Sequence, residues 1–378
     1  MLTILIRMGE EVKAVLSNEL TELLQIRYPI IQAPMAGGIT TAKLVAEVAS
    51  SGGLGSIGAG YMTPEELREQ IQEVKQLTTH FFNVNLFVPN EFTVSQEEIQ
   101  VTNEILQRFY EQLGIASSGN VKISDFKHAR ETFYEQIQII IEEKVPVCSF
   151  TFGIPEKEII EELKEHKMVV MGTATTVREA IAIEKAGMDI VIVQGSEAGG
   201  HRGNFISADQ ESLIGLLSLI PQVVDNVNIP VVAAGGIMDG RGLMAALCLG
   251  AKGVQMGTAF LTCTESGASS IHKEEILKAT EEQLVLTRSF SGKWARGIKN
   301  KFISEMEPYE DTLPPFPVQN TLTKEIRKAA SLQKNKDFMS LWSGQSPRLA
   351  KNQSVNELMK KVISEAYEIR KAISMEKP

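Results

Sequence analysis

Thr176-Val-Arg-Glu-Ala-Ile-Ala-Ile-Glu-Lys-Ala-Gly-Met-Asp-Ile-Val-Ile-Val-Gln-Gly195 contains one complete repeat of the fold. Thr176, followed three residues later by Glu179, has the form of a capping box that opens a helix, and Ile181 and Ala182 continue it. Gly187 supplies the left-handed stop that ends a helix. Asp189 to Gln194 is then a β-rich apolar run closed by Gly195. A helix that stops on glycine and gives way at once to a fully apolar strand is the unit of a parallel sheet with helical crossovers.

The same grammar recurs on both sides. Gly53-Leu-Gly-Ser-Ile-Gly58 and Gly250-Ala-Lys-Gly-Val-Gln-Met-Gly257 repeat the order of glycine stop, strand and glycine at the strand's carboxyl end, where a missing side chain lets a ligand approach the backbone. Eight such runs are expected: Pro29 to Ala33, Leu54 to Gly58, Phe82 to Val88, Val145 to Phe152, Met168 to Gly172, Asp189 to Gln194, Ile229 to Ala234 and Gly253 to Leu261. Between them, Thr63-Pro64-Glu65-Glu66 gives an N-cap, a proline at the first helical position and a box glutamate, with Leu67, Ile71 and Val74 on one face. The fold class is therefore α/β, a TIM (β/α)₈ barrel.

At 378 residues the chain exceeds a barrel of about 250 residues. One surplus is Pro89 to Glu143, a third crossover filled with amphipathic helix pattern. Another is Thr264 to Leu341, which contains the breaker Pro314-Pro315-Phe316-Pro317 and reads as a smaller, mostly helical lobe inserted after strand eight and packed over the barrel mouth. The expected division is an N-terminal arm over 1–16, a barrel over 17–263, the lobe over 264–341, and a segment over 342–378 that returns to the barrel. The arm reads as frayed or as an over-extended start.

A net charge of -9 repels phosphate backbones and anionic membrane surfaces, so nucleic acid and membrane are excluded as partners. The first apolar run breaks at Arg7, too soon for a signal or a span, which points to the cytoplasm. Cys148, Cys248 and Cys263 show no CxxC pairing and read as small hydrophobes in apolar runs. No HxH or paired-carboxylate cluster falls at a strand end, so no metal site is expected and a metal-dependent barrel hydrolase is disfavoured.

In a barrel enzyme the site lies at the carboxyl ends of the strands, with phosphate commonly held after strands seven and eight. Ala233-Ala234-Gly235-Gly236 and Gln255-Met256-Gly257-Thr258 fall there and offer backbone amides, plus the Thr258 hydroxyl, to an anion. Gln194-Gly-Ser-Glu-Ala-Gly199-Gly-His201-Arg202-Gly203 clusters polar groups directly after the sixth strand and reads as a site loop. His201 stands out because glycines surround it, whereas His80, His128, His166 and His272 read as surface or satisfied core. Arg202 reads as solvent-facing or, alternatively, as a cation near a negative substrate.

Five stretches in register resemble the flavin-dependent nitronate monooxygenases, formerly called 2-nitropropane dioxygenases. They are Pro29-Ile-Ile-Gln-Ala-Pro-Met-Ala-Gly37, Gly52-Gly-Leu-Gly-Ser-Ile-Gly-Ala-Gly60, Gln194 to Gly203, Ala233-Ala-Gly-Gly-Ile-Met-Asp-Gly-Arg241 and Gly253-Val-Gln-Met-Gly-Thr-Ala-Phe260. The likeness runs from about Ser17 to Leu349 and takes in Trp342-Ser-Gly-Gln345. It implies FMN as cofactor, with Pro34 and Met35 beside the isoalloxazine ring, Asn85 at a flavin-contacting position, and Gln194 and Gly199 as contacts after strand six. Gly235, Gly236, Gln255, Met256, Gly257 and Thr258 would serve the phosphate and ribityl chain, and His201 matches the active-site histidine.

The implied reaction is oxidation of an alkyl nitronate by O2 to a carbonyl compound and nitrite, by a monomer or homodimer. His201 would donate a hydrogen bond or positive charge to the nitro group, or take a carbon-bound proton in its neutral form. A rival on the same scaffold is a flavin-dependent enoyl-[acyl-carrier-protein] reductase, which shares the string Glu197-Ala-Gly-Gly-His201 and uses a nicotinamide cofactor. A non-catalytic flavin-binding module is a third reading.

Overall fold

A computed structural model describes residues 16–116, 123, 125–207 and 210–375. The arm expected over residues 1–16 falls, apart from Leu16, outside the described residues.

Strands β1 (Ile30–Gln32), β2 (Gly55–Gly58), β3 (Phe82–Phe87), β4 (Val147–Thr151), β5 (Val169–Ala174), β6 (Ile190–Gln194), β8 (Val231–Ala234) and β9 (Gly253–Met256) form one eight-stranded sheet in the order β1-β9-β8-β6-β5-β4-β3-β2. Each pairing is parallel. A parallel bridge between Ile31 and Leu54 joins the two edges, with the Leu54 N–H donating to the Ile30 carbonyl at 2.9 Å. The sheet thus closes on itself, as the eight runs predict.

The eighth run needs correcting. It was expected to continue to Leu261, but β9 ends at Met256 and Thr258–Leu261 is a short buried helix. An unbroken apolar stretch carries no period that separates a buried strand from a buried helix.

Alternation along the strands sorts the core. Ile31, Val147, Val169, Met171, Ile190, Ile192 and Val232 pack together inside the barrel, and Leu20 and Leu24 join them from the N-terminal helix Glu19–Leu23. The opposite phase, including Val84, Cys148, Val170, Val191 and Val254, packs outward with the helices. One of these helices is Pro64–Leu77, where Thr63 makes the full capping box and Leu67, Ile71 and Val74 are buried as read. Cys148 and Cys263 are buried, but Cys248, the last residue of helix Gly240–Cys248, is exposed, which corrects its reading as a small hydrophobe.

A second apolar cluster lies outside the barrel. Phe290, Phe302, Val318, Leu322 and Ile326 belong to the segment after strand eight, and Leu106, Phe109 and Leu113 reach it from helix Gln96–Leu113 of the long third crossover. The segment also holds two strands among its helices, β10 (Leu284–Thr287) and β11 (Ala295–Ile298). They pair antiparallel, and β11 pairs in turn with β7 (Gly200–His201), setting Ala295 opposite His201. The loop after β6 is thereby stitched to this segment by backbone hydrogen bonds. Helix Val355–Met375 then lies back on the barrel, with Val355, Leu358, Met359, Val362 and Ala366 in its outer core.

No helix among the described residues is long and apolar enough to cross a membrane.

Candidate active site

The inward phase of the strands turns polar at their carboxyl ends. Asn85 lies in the carboxyl half of β3, Thr151 and Gln194 end β4 and β6, Thr173 and Gln255 are next to last in β5 and β9, and all five line one cavity. Pro34, Met35, Gly199, His201, Gly235, Gly236, Gly257 and Thr258 line it too. Met256 does not. Its neighbour Gln255 points inward, so alternation sends Met256 outward into the packed shell, where it is 1% exposed. Its carbonyl still serves the site by accepting the Ala33 N–H at 2.8 Å, which holds the loop of Pro34 and Met35.

Gly235 and Gly236 have φ of 133° and 66°, which a side chain would strain, and they turn the chain sharply at the end of β8. Opposite them, the Gly344 N–H donates to Thr258 Oγ1 at 2.9 Å, leaving the Thr258 hydroxyl proton for another acceptor. Gln255 presents a buried Oε1 with no hydrogen-bond partner among the described residues. A buried amide oxygen without a donor is costly, so this atom calls for one from a molecule in the cavity. The ribityl hydroxyls or ring N–H of a flavin are such donors. The glycine turns and the Thr258 hydroxyl suit its phosphate, so the residues present fit FMN.

His201 stands on another wall. Its ring lies 5.6 Å from Trp342, 6.0 Å from Phe316 and 6.0 Å from Phe152, centroid to centroid. Its Nε2 is 2.8 Å from Ser291 Oγ. Burial, then the nearby charges of Lys293 and Arg327, depress its pKa to about 3, so the imidazole is neutral at ordinary pH.

Three polar side chains hold the loop that carries it. Gln194 spends its amide there, donating from Nε2 to the His201 carbonyl at 3.0 Å and accepting the Gly203 N–H at Oε1, 2.8 Å away. Arg202, expected to face solvent, is instead 0% exposed. Its guanidinium donates to the carbonyls of Gly195, Gln194 and Ser212, tying the loop to the end of β6. Glu179 makes only half of its capping box: its N–H donates to Thr176 Oγ1, but its carboxylate turns inward. There it accepts from the N–H groups of Phe205, Ile206 and Ser207 at 2.8–3.1 Å and from Thr175.

Several cavity residues escaped the sequence reading. Thr151 and Thr173 share the inward phase of Asn85 and Gln194, a signal that counting by twos would have found. Phe87, two residues beyond Asn85 in the same strand, shares that phase, whereas Phe152 carries no local signal; Phe316 and Ser291, which contact His201 without lining the cavity, reach it by tertiary packing alone. His272, read as satisfied core, is 5% exposed and bonds through Nε2 to the Trp342 carbonyl.

A family model described as nitronate monooxygenase matches residues 17–365. A probable nitronate monooxygenase of Staphylococcus haemolyticus is 53% identical over 351 residues, covering 92% of this chain and 97% of its own. A probable nitronate monooxygenase of Staphylococcus aureus is 51% identical, covering 93% and 98%. Among solved structures, a nitroalkane oxidase from Streptomyces ansochromogenes superposes with a TM-score of 0.86 at 37% identity, over 94% of this chain and 100% of that one. FabK from Thermotoga maritima superposes with a TM-score of 0.74 at 31% identity, over 95% and 98%. The match across nearly the whole barrel and its two insertions makes this chain a member of the nitronate monooxygenase family of flavin-dependent oxidoreductases.

Proposed function

We propose that the enzyme binds FMN and oxidises alkyl nitronates with O2 to a carbonyl compound and nitrite, acting in the cytoplasm. The observation that carries this reading is that one cavity is lined both by His201, whose pKa burial depresses, and by the glycine-rich corner of Gly235, Gly236 and Thr258. Bound between them, the flavin would accept electrons from the nitronate and pass them to dioxygen, chemistry that no side chain supplies.

The chain's own share is electrostatic and steric. Arg202 and Arg296 are buried beside the site loop, Arg296 donating to the Ser196 carbonyl at 2.9 Å, and their fixed charge favours an anionic substrate over its neutral form. Phe87, Phe152 and Phe316 pack on one another next to His201 and exclude water from that wall. His201, held neutral, offers no cationic grip on the nitro group but has a lone pair with which to take a proton from a nitroalkane.

Nitrite release tests the assignment. FMN-loaded enzyme should yield nitrite from ethylnitronate and propionate 3-nitronate at a rate indifferent to NADH. NADH oxidation driven by a crotonyl thioester, with no nitrite from either nitronate, would overturn it in favour of an enoyl reductase.

A further inference from the structure

We propose that Ser291 is a positioning residue that fixes the tautomer of His201, so that Nδ1 is the ring nitrogen offered to the substrate. The inference rests on the reading of His201 as the residue that meets the substrate.

The argument is a count of hydrogens. Ser291 lies in the turn between β10 and β11, is 2% exposed, and is anchored by its N–H to the Arg288 carbonyl at 3.1 Å. A hydroxyl has one proton and two lone pairs. The Lys293 carbonyl, 3.0 Å from Oγ, has no hydrogen of its own and can bond to Ser291 only by accepting, and we place the hydroxyl proton there. One lone pair faces the Lys293 N–H at 3.4 Å. The other can only accept, and the group 2.8 Å away is His201 Nε2. With the hydroxyl proton on the Lys293 carbonyl, Nε2 carries the ring hydrogen, which leaves the Nδ1 lone pair to act.

The surroundings enforce the arrangement. The rings packed on His201 are those of Phe152, Phe316 and Trp342, and among the described residues Ser291 is the hydrogen-bond partner of its imidazole. The turn cannot swing away, because a Cβ on neighbouring Gly292 would stand 2.3 Å from the Pro314 carbonyl and 2.8 Å from the Phe316 nitrogen. The segment that presses Phe316 onto the imidazole thus also clamps the turn that holds its far nitrogen.

For a neutral nitroalkane the step balances without any oxidant. The bond between carbon and hydrogen breaks, its electron pair moves into the carbon–nitrogen bond of the nitronate, and the proton passes to Nδ1. The imidazolium so formed keeps its Nε2 hydrogen on Ser291. With the other tautomer Nδ1 would already be protonated and could not accept.

The test combines a spectrum with kinetics. In enzyme labelled with nitrogen-15 histidine and loaded with FMN, a long-range proton–nitrogen correlation reports which ring nitrogen is protonated, and His201→Asn assigns the signals. The wild type should show the Nε2–H pattern for His201. Ser291→Ala should give averaged nitrogen shifts and lower kcat with nitroethane by at least about tenfold more than with ethylnitronate, KM changing little. Ser291→Thr, which keeps the hydroxyl, should restore both. An Nδ1–H pattern in the wild type, or unchanged shifts and an equal loss on both substrates in Ser291→Ala, would overturn the proposal. If the wild type releases no nitrite from either substrate, the functional reading fails, while the nitrogen spectrum still decides the tautomer.

Discussion

Gly199 and Gly344 meet backbone to backbone: a Cβ at position 199 would stand 2.5 Å from the Gly344 nitrogen. The site loop after β6 and the segment Trp342 to Ser346 are therefore pressed together at the cavity, where the Gln345 N–H also donates to the Glu197 carbonyl at 3.0 Å. Neither piece can shift without the other.

Gly199→Ala should push the two segments apart and disturb the bond from the Gly344 N–H to Thr258. The fold should survive, since the barrel core is untouched. Flavin affinity should fall by at least about tenfold, equivalent to about 1.4 kcal/mol. Titration of the apoenzyme with FMN, followed by flavin fluorescence, measures it; an unchanged Kd would show that this contact does not shape the site.

Glu179→Gln replaces an acceptor with a group that is half donor, facing the N–H groups of Phe205, Ile206 and Ser207. Burial pushes the Glu179 carboxyl upward, but the bonds from Phe205, Thr175 and Ile206 outweigh it and hold the group below its usual range. A depressed carboxylate contributes stability that is full above the unfolded value and is lost as pH falls through the folded one. The variant should lose about 2 kcal/mol near neutrality, and the gap to wild type should close in acid below the ordinary carboxylate value of 4.5. Urea titrations across that range would show it, and a gap independent of pH would contradict it.

His201→Asn should lower nitroethane turnover by at least about a hundredfold while leaving FMN bound. It also has a signature in stability. The imidazole is depressed from 6.5 to about 3, so the unfolded chain binds the extra proton first, and the stability due to this group declines as pH falls below 6.5. Between about pH 7.5 and pH 5 the wild type should therefore lose about 1–2 kcal/mol that the asparagine variant keeps. Parallel slopes for the two proteins would show that folding leaves the pKa of this imidazole unshifted.

Arg202→Met should be among the most damaging single changes. It removes the guanidinium that donates to the carbonyls of Gly195, Gln194 and Ser212, at a cost of at least about 3 kcal/mol. Thermal melting would register a drop of several degrees; a variant as stable as wild type would mean that water replaces the guanidinium without penalty.

The barrel was legible because its signals are local. Glycine stops at Gly187 and Gly250, the cap at Thr63 and the apolar strand phases each act within a few residues, and the cavity residues at strand ends follow from period two. Arg202 and Glu179 were misread for a common reason. Next to a loop, a charged side chain looks solvated or looks like a cap, and only the folded path shows which backbone groups need it. Met256 was lost by reading a motif as a block, when alternation alone turns it outward. The short helix at Thr258–Leu261 hid in an apolar run without period. Ser291 and Phe316 lie 90 and 115 positions from His201, and nothing local ties them to it.

The central claim is that this cavity holds FMN with a nitronate-accessible ring beside His201. Anaerobic mixing of FMN-reconstituted enzyme with ethylnitronate tests it most directly. The visible flavin absorbance should be lost on mixing and return when air is admitted, with nitrite formed. Protein that takes up no FMN, or bound FMN whose absorbance no nitronate changes, would contradict it.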